Sequence, residues 1–136
     1  MEPYPITFEP ILKEKVWGGC ALERYGKKLP TDTPIGESWE LADLPDSIEG
    51  GKSVITNGTL AGKTLAEAIR GDACFPLLIK FLDANDNLSV QVHPSKTFAE
   101  NHPETHLKSE AWVVLDAEPS SYIYVGLKHG TTEEAL

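Results

Sequence analysis

Leu88-Ser89-Val90-Gln91-Val92-His93-Pro94 is the stretch on which the reading of this chain turns. Leu88, Val90 and Val92 alternate with Ser89, Gln91 and His93, a period of two that predicts a strand with one apolar and one polar face. Pro94 has no N–H to give to a ladder, so the strand is expected to finish there. Its polar face carries an amide oxygen and an imidazole one pleat apart, which is what a metal site needs. Further on, Lys108-Ser109-Glu110 leads into the apolar run Ala111-Trp112-Val113-Val114-Leu115, so Glu110 can add a carboxylate from a second strand. Nitrogen and oxygen donors of this kind suit zinc, and less selectively manganese, iron or cobalt. A Gln-x-His pair is also what an ordinary exposed sheet face shows, and spacing alone favours that plainer account.

Outward from this stretch, Phe75–Asp83 is the most apolar run in the chain and predicts a buried strand. Lys80 interrupts it. A lysine there is costly unless its ammonium snorkels to a sheet edge or reaches a partner in a solvated cavity. The turn-rich Asp83–Asn87 connection would make this strand and the next a hairpin. After Pro94, Ser95 is a candidate N-cap for a short helix. His102 and His106 stand four apart, but Pro103 lies between them in polar surroundings, so both are expected at the surface, with His129 in a turn. If Glu110 faces a metal, Lys108 and Trp112 share its face. Tyr122–Gly126 predicts another strand, and Thr131–Leu136 the capped first turn of a helix.

Towards the N-terminus, Met1–Pro10 carries three prolines and reads as extended. Val16-Trp17-Gly18-Gly19 ends in a glycine pair that signals a turn. Ala21–Gly26 predicts a helical turn or two stopped by glycine. Gly36–Ala42 reads as a strand with Glu37 and Trp39 on one face, where Glu37 is a plain surface charge on pattern alone. Lys52–Ile55 is a short strand, Asn57-Gly58 a turn, and Thr64 with Glu67 a capping box opening a helix over 65–70.

The chain of 136 residues has the length of one domain, with 40% hydrophobic residues. Its net charge of −9 and lack of a basic stripe argue against nucleic acid. No apolar run is long enough to cross a bilayer, and Met1–Pro5 has neither the basic start nor the apolar core of a signal peptide, so no membrane partner and a cytoplasmic location are expected. Cys20 and Cys74 lack CxxC spacing, and buried thiols are expected rather than a disulfide. Short strands between Gly, Pro and Asn turns predict a mainly β domain with a few short helices.

The QVHP run at Gln91–Pro94, KSEAW at Lys108–Trp112, VWGG at Val16–Gly19 and GESWEL at Gly36–Leu41 occur in the order and at roughly the spacing found in type I phosphomannose isomerases. The chain resembles that zinc-dependent, cupin-fold family from Phe8 to its end. The resemblance implies a cupin-like jelly-roll barrel, with residues 1–136 forming a single domain from the N-terminal part of the family's fold and the barrel left incomplete. It further implies Gln91, His93 and Glu110 as ligands of Zn2+ or another divalent first-row metal. A further histidine ligand and an arginine lie in the family beyond the point where this sequence stops. Lys80 and Ser89 become candidates for the substrate phosphate, Glu37 a residue bordering the pocket, and Lys108 a candidate for catalysis. The implied partner is a phosphorylated hexose, and the implied reaction is interconversion of mannose 6-phosphate and fructose 6-phosphate through an enediol. The alternative is a non-catalytic, cupin-like module that binds or senses sugar phosphate with a partial metal site. A different cupin enzyme, such as a metal-dependent oxygenase, is disfavoured by the joint presence of QVHP, KSEAW and Lys80. Sheet edges left open would invite self-association.

Overall fold

The computed structural model describes residues 3–69 and 75–135. These fall into two compact units, Met1–Val90 and Gln91–Leu136. The fold is mainly β with a few short helices, the class expected of a cupin-like jelly roll.

The first unit is built on a three-stranded antiparallel sheet in the order β1 (Ile11–Gly19), β2 (Ile35–Leu41), β3 (Ile79–Leu82). Lys13 pairs with Glu37 across β1 and β2, while Trp39 pairs with Lys80 across β2 and β3. Between β1 and β2 the chain makes a 3-10 turn over Ala21–Tyr25, closed by Gly26 in the left-handed region at φ 77°. A capping box opens helix α1 (Leu65–Ile69): Glu67 N–H donates to Thr64 Oγ1 at 3.4 Å, and Thr64 N–H to Glu67 Oε2 at 2.7 Å. Its hydrogen bonds with Thr64 also lower the Glu67 pKa.

The core of this unit is Leu22, Ile35, Ala42, Ile55 and Leu65, with Ser38 and Ser53 wholly buried among them. Each hydroxyl is satisfied: Ser53 Oγ accepts from Ala42 N–H at 2.8 Å, and Ser38 Oγ donates to Glu40 Oε1 at 2.6 Å. Segments around Lys52–Ile55 enter only isolated bridges, Asp43 with Lys52, Val54 with Thr64 and Phe8 with Ile55.

Several expectations are corrected. Val16–Gly19 is the end of β1 rather than a turn, because Gly18 and Gly19 let β1 lie close against its neighbours. A Cβ on Gly18 would strike the backbone of Gly36 and lie 2.5 Å from Ile35 C. Backbone cannot rotate away, so Gly18→Ala is expected to destabilise by about 1–3 kcal/mol or more, read as a lowered thermal midpoint. The apolar run at Phe75 is regular only over β3, and Leu77 and Ile79 are at least half exposed. Cys20 is an exposed free thiol, not a buried one; Cys74 and the predicted helix end at Arg70 lie outside the described residues.

In the second unit Ser95 caps helix α2 (Lys96–Asn101), its side chain accepting from Phe98 N–H at 3.2 Å. His102 does not stand free at the surface as expected: its ring stacks on Phe98 at 3.8 Å between centroids, and Nδ1 lies 2.8 Å from the Phe98 carbonyl. The strands expected at Leu88–His93, Ala111–Leu115 and Tyr122–Gly126 form no ladder, so the 75–93 hairpin is not made either. Their apolar residues are largely exposed, Val92 at 88% and Val125 at 90%. Alternation records which face a strand would bury. It supplies no partner for the backbone.

Candidate active site

The residues expected to bind metal converge even though their segments form no ladder. In the second unit, Glu110 Oε2 lies 3.0 Å from His93 Nε2, while its Oε1 accepts from the Lys108 ammonium at 2.7 Å. The same ammonium donates to Gln91 Oε1 at 3.3 Å. One carboxylate therefore joins Lys108 and His93, and Lys108 joins it to the amide of Gln91. Trp112, expected on the same face, is 53% exposed.

Side chains of Glu110 and His93 keep 25% and 32% of their surface accessible, so the cluster is part-buried and solvent can still reach it. The hydrogen bond from Lys108 is the largest influence on Glu110. Partial burial opposes it, and the Lys108 charge and the contacts with His93 act in the same direction as the first. The net result holds the carboxyl below its ordinary value near 4.5. A lowered pKa in the folded protein means a stabilising contribution that is complete above the ordinary value and lost as pH falls through the folded one. The Glu110 carboxyl is therefore expected to titrate below pH 4.5 by carbon-13 NMR, and Lys108→Gln to raise its midpoint.

The donor set suits a divalent cation. It contains a neutral amide oxygen, an imidazole nitrogen and a carboxylate, and a monovalent cation, the Lys108 ammonium, already bridges two of the three. Among the described residues no three His, Cys, Asp or Glu side chains gather in this way, so this cluster reaches three candidate donors only with the glutamine counted. An open cavity of about 480 Å³ is bounded by His93 together with Val92, Pro94, Ser95, Phe98, Thr105 and His106. His106 is exposed there and His129 lies in an exposed turn, as expected.

The remaining candidates lie in the first unit. Lys80 projects from β3 to Glu37 of β2, Nζ to Oε2 3.3 Å, and Trp39 Nε1–H donates to the same oxygen at 2.6 Å. Glu37 is thus no plain surface charge: its side chain is 12% exposed and bonded twice. Ser89 lies in the segment after β3, outside regular structure. Lys13 was not anticipated. Its ammonium sits 4.3 Å from the Trp39 ring centroid, a placement that follows from strand register and has no local signal in the sequence.

The model for the catalytic domain of type I phosphomannose isomerase matches residues 6–123, a span that contains Glu37, Lys80, Ser89, Gln91, His93, Lys108 and Glu110. The chain belongs to the type I phosphomannose isomerase family. It is 38% identical to the mannose-6-phosphate isomerase ManA of Bacillus subtilis (strain 168), over all of this chain and 44% of that protein. It is 35% identical to the mannose-6-phosphate isomerase of Streptococcus mutans serotype c, over 96% of this chain and 43% of the relative. The crystal structure of the mannose 6-phosphate isomerase from Bacillus subtilis superposes with a TM-score of 0.60 at 37% identity, covering 76% of this chain and 34% of that one. The chain thus spans less than half the length of the relatives it matches. Among the described residues no helix is long and apolar enough to cross a membrane.

Proposed function

We propose that this chain carries metal- and substrate-binding residues of a mannose-6-phosphate isomerase, and that residues 1–136 are one domain from the N-terminal part of the family's cupin fold. The observation that carries the reading is the joining of Gln91, His93, Lys108 and Glu110 into one bonded set inside the span matched by the family's catalytic domain.

Gln91, His93 and Glu110 would hold a divalent metal, zinc by the chemistry of its donors. When bound, that ion supplies positive charge near the sugar oxygens, where an enediolate builds up negative charge. His93 Nε2 now faces a carboxylate, and as a ligand it must present its lone pair instead, so binding competes with a proton at that nitrogen. Lys108 then has donors to turn from Gln91 and Glu110 towards a sugar oxygen. There its ammonium can hold or pass a proton as C2 of mannose 6-phosphate loses one and C1 gains one, giving fructose 6-phosphate. Lys80 and Ser89 are assigned to the 6-phosphate, with Glu37 beside Lys80.

The test is conversion of mannose 6-phosphate to fructose 6-phosphate by the zinc-loaded polypeptide. Lys108→Ala is expected to lower turnover by about 100-fold or more, the usual worth of a positioned proton-transfer group. Affinity for sugar phosphate without turnover would instead favour the non-catalytic binding module.

A further inference from the structure

Glu37 does not depend on Lys80 alone, because the Trp39 indole also donates to its carboxylate. Glu37 and Trp39 stand two apart on β2, so both project from one face of the sheet, with Lys13 opposite the first and Lys80 opposite the second. On that face Trp39 Nε1–H donates to Glu37 Oε2 at 2.6 Å, against 3.3 Å for the Lys80 ammonium on the same oxygen. Lys13 Nζ is fixed at 3.3 Å from the Gly50 carbonyl and lies over the indole. A cation over the ring draws on its electrons and makes the N–H a better donor.

The two contacts differ in what their loss would leave behind. If Lys80 moves off, Glu37 keeps its shorter bond, and its largely buried carboxylate is not stranded. If the indole N–H is removed, Lys80 is the carboxylate's remaining partner in this row, and pulling it away exposes the cost of an unpaired buried anion.

We infer that Trp39 is a positioning residue for sugar-phosphate binding: by holding Glu37, it frees the Lys80 ammonium to pass from that carboxylate to an arriving phosphate. The inference rests on the reading of Lys80 as a phosphate ligand. Trp39→Phe keeps an aromatic ring under Lys13 but leaves Glu37 to clamp Lys80. Phosphate must then break that pair, and affinity falls by about tenfold, the scale of one charge-assisted hydrogen bond. Adding Glu37→Gln to Trp39→Phe removes the competing charge and restores affinity to near the wild-type value.

The experiment titrates mannose 6-phosphate into the full chain and its Trp39→Phe, Lys80→Gln and Trp39→Phe/Glu37→Gln variants. Dissociation constants are measured alongside the indole N–H resonances. The expected result is a shift of the Trp39 indole signal in the wild type, a tenfold loss in Trp39→Phe and recovery in the double variant. Loss of binding in Lys80→Gln with none in Trp39→Phe would overturn the inference and leave Lys80 as a phosphate ligand. A double variant as weak as Trp39→Phe would also overturn it, since the ring and not its hold on Glu37 would then matter. Undiminished binding in Lys80→Gln would remove both readings. Should Trp39→Phe fail to fold, an indole signal of the wild type that ignores the ligand overturns the inference by itself.

Discussion

Glu110→Gln is expected to weaken zinc binding by more than about 100-fold while hardly changing the stability of the metal-free protein. Partners one shell out from a metal are worth about 10–100-fold in affinity, and a charged ligand should exceed that. Glu110 is the single anion in its cluster, facing the Lys108 ammonium on one oxygen and His93 on the other. The amide keeps the shape and discards the charge. It also turns one acceptor into a donor, which repels the Lys108 ammonium wherever it faces it. Stability responds little because the pairs are part-exposed, and such pairs contribute about 0–1 kcal/mol. Gln91→Ala, which removes a neutral donor, should cost less metal affinity than either Glu110→Gln or His93→Ala. Competition with a chelator of known affinity measures all three, and zinc held equally by Glu110→Gln would take Glu110 out of the ligand set.

How much of this could be read beforehand depends on how far each feature reaches along the chain. Local chemistry was legible. The Thr64–Glu67 capping box, the Ser95 cap and the left-handed Gly26 each need only neighbours within one helical turn, and each stands as the residues indicated. The candidate residues were picked out by their motifs, and Gln91, His93, Lys108 and Glu110 do meet. They meet by another route than expected, through charge-assisted side-chain contacts and without a shared ladder.

Features that depend on distant pairing were not legible. Period-two alternation at Leu88–His93, Ala111–Leu115 and Tyr122–Gly126 specifies a face to bury, while the ladder itself must come from another segment. The role of Lys13 had the same origin. Only the register of β1 on β2 brings its ammonium over Trp39, and a one-residue slip would send it to the opposite face. Lys80 was recognised as an anomaly in an apolar run. Its resolution by Glu37 required knowing that β2 lies beside β3.

The isolated polypeptide of 136 residues is expected to self-associate, and increasingly so as salt is added. Two opposing terms decide this. Within the second unit Val92, Val113, Tyr124 and Val125 are each at least 80% exposed, and Val114, Leu115, Tyr122 and Ile123 are about 60% exposed. Their segments also lack ladder partners, so apolar side chains and backbone donors and acceptors are offered together, the combination that drives strand-to-strand association. Covering one such side chain gains roughly 1.5–3 kcal/mol. The net charge of −9 opposes contact between copies, but that repulsion acts through solvent and shrinks with the Debye length, from about 30 Å at 0.01 M salt to about 3 Å at 1 M. Attraction through apolar surface has no such weakness. Sedimentation velocity should therefore show larger species at high salt than at low salt. Val113→Lys combined with Val125→Lys should suppress them despite lowering the net negative charge, because a lysine on an unpaired strand blocks its pairing. That variant separates the two terms: general repulsion predicts more association on adding positive charge to an acidic chain, whereas docking through the apolar segments predicts less. A monodisperse monomer at both salt concentrations, melting in one cooperative transition, would mean that these segments find their partners within their own chain.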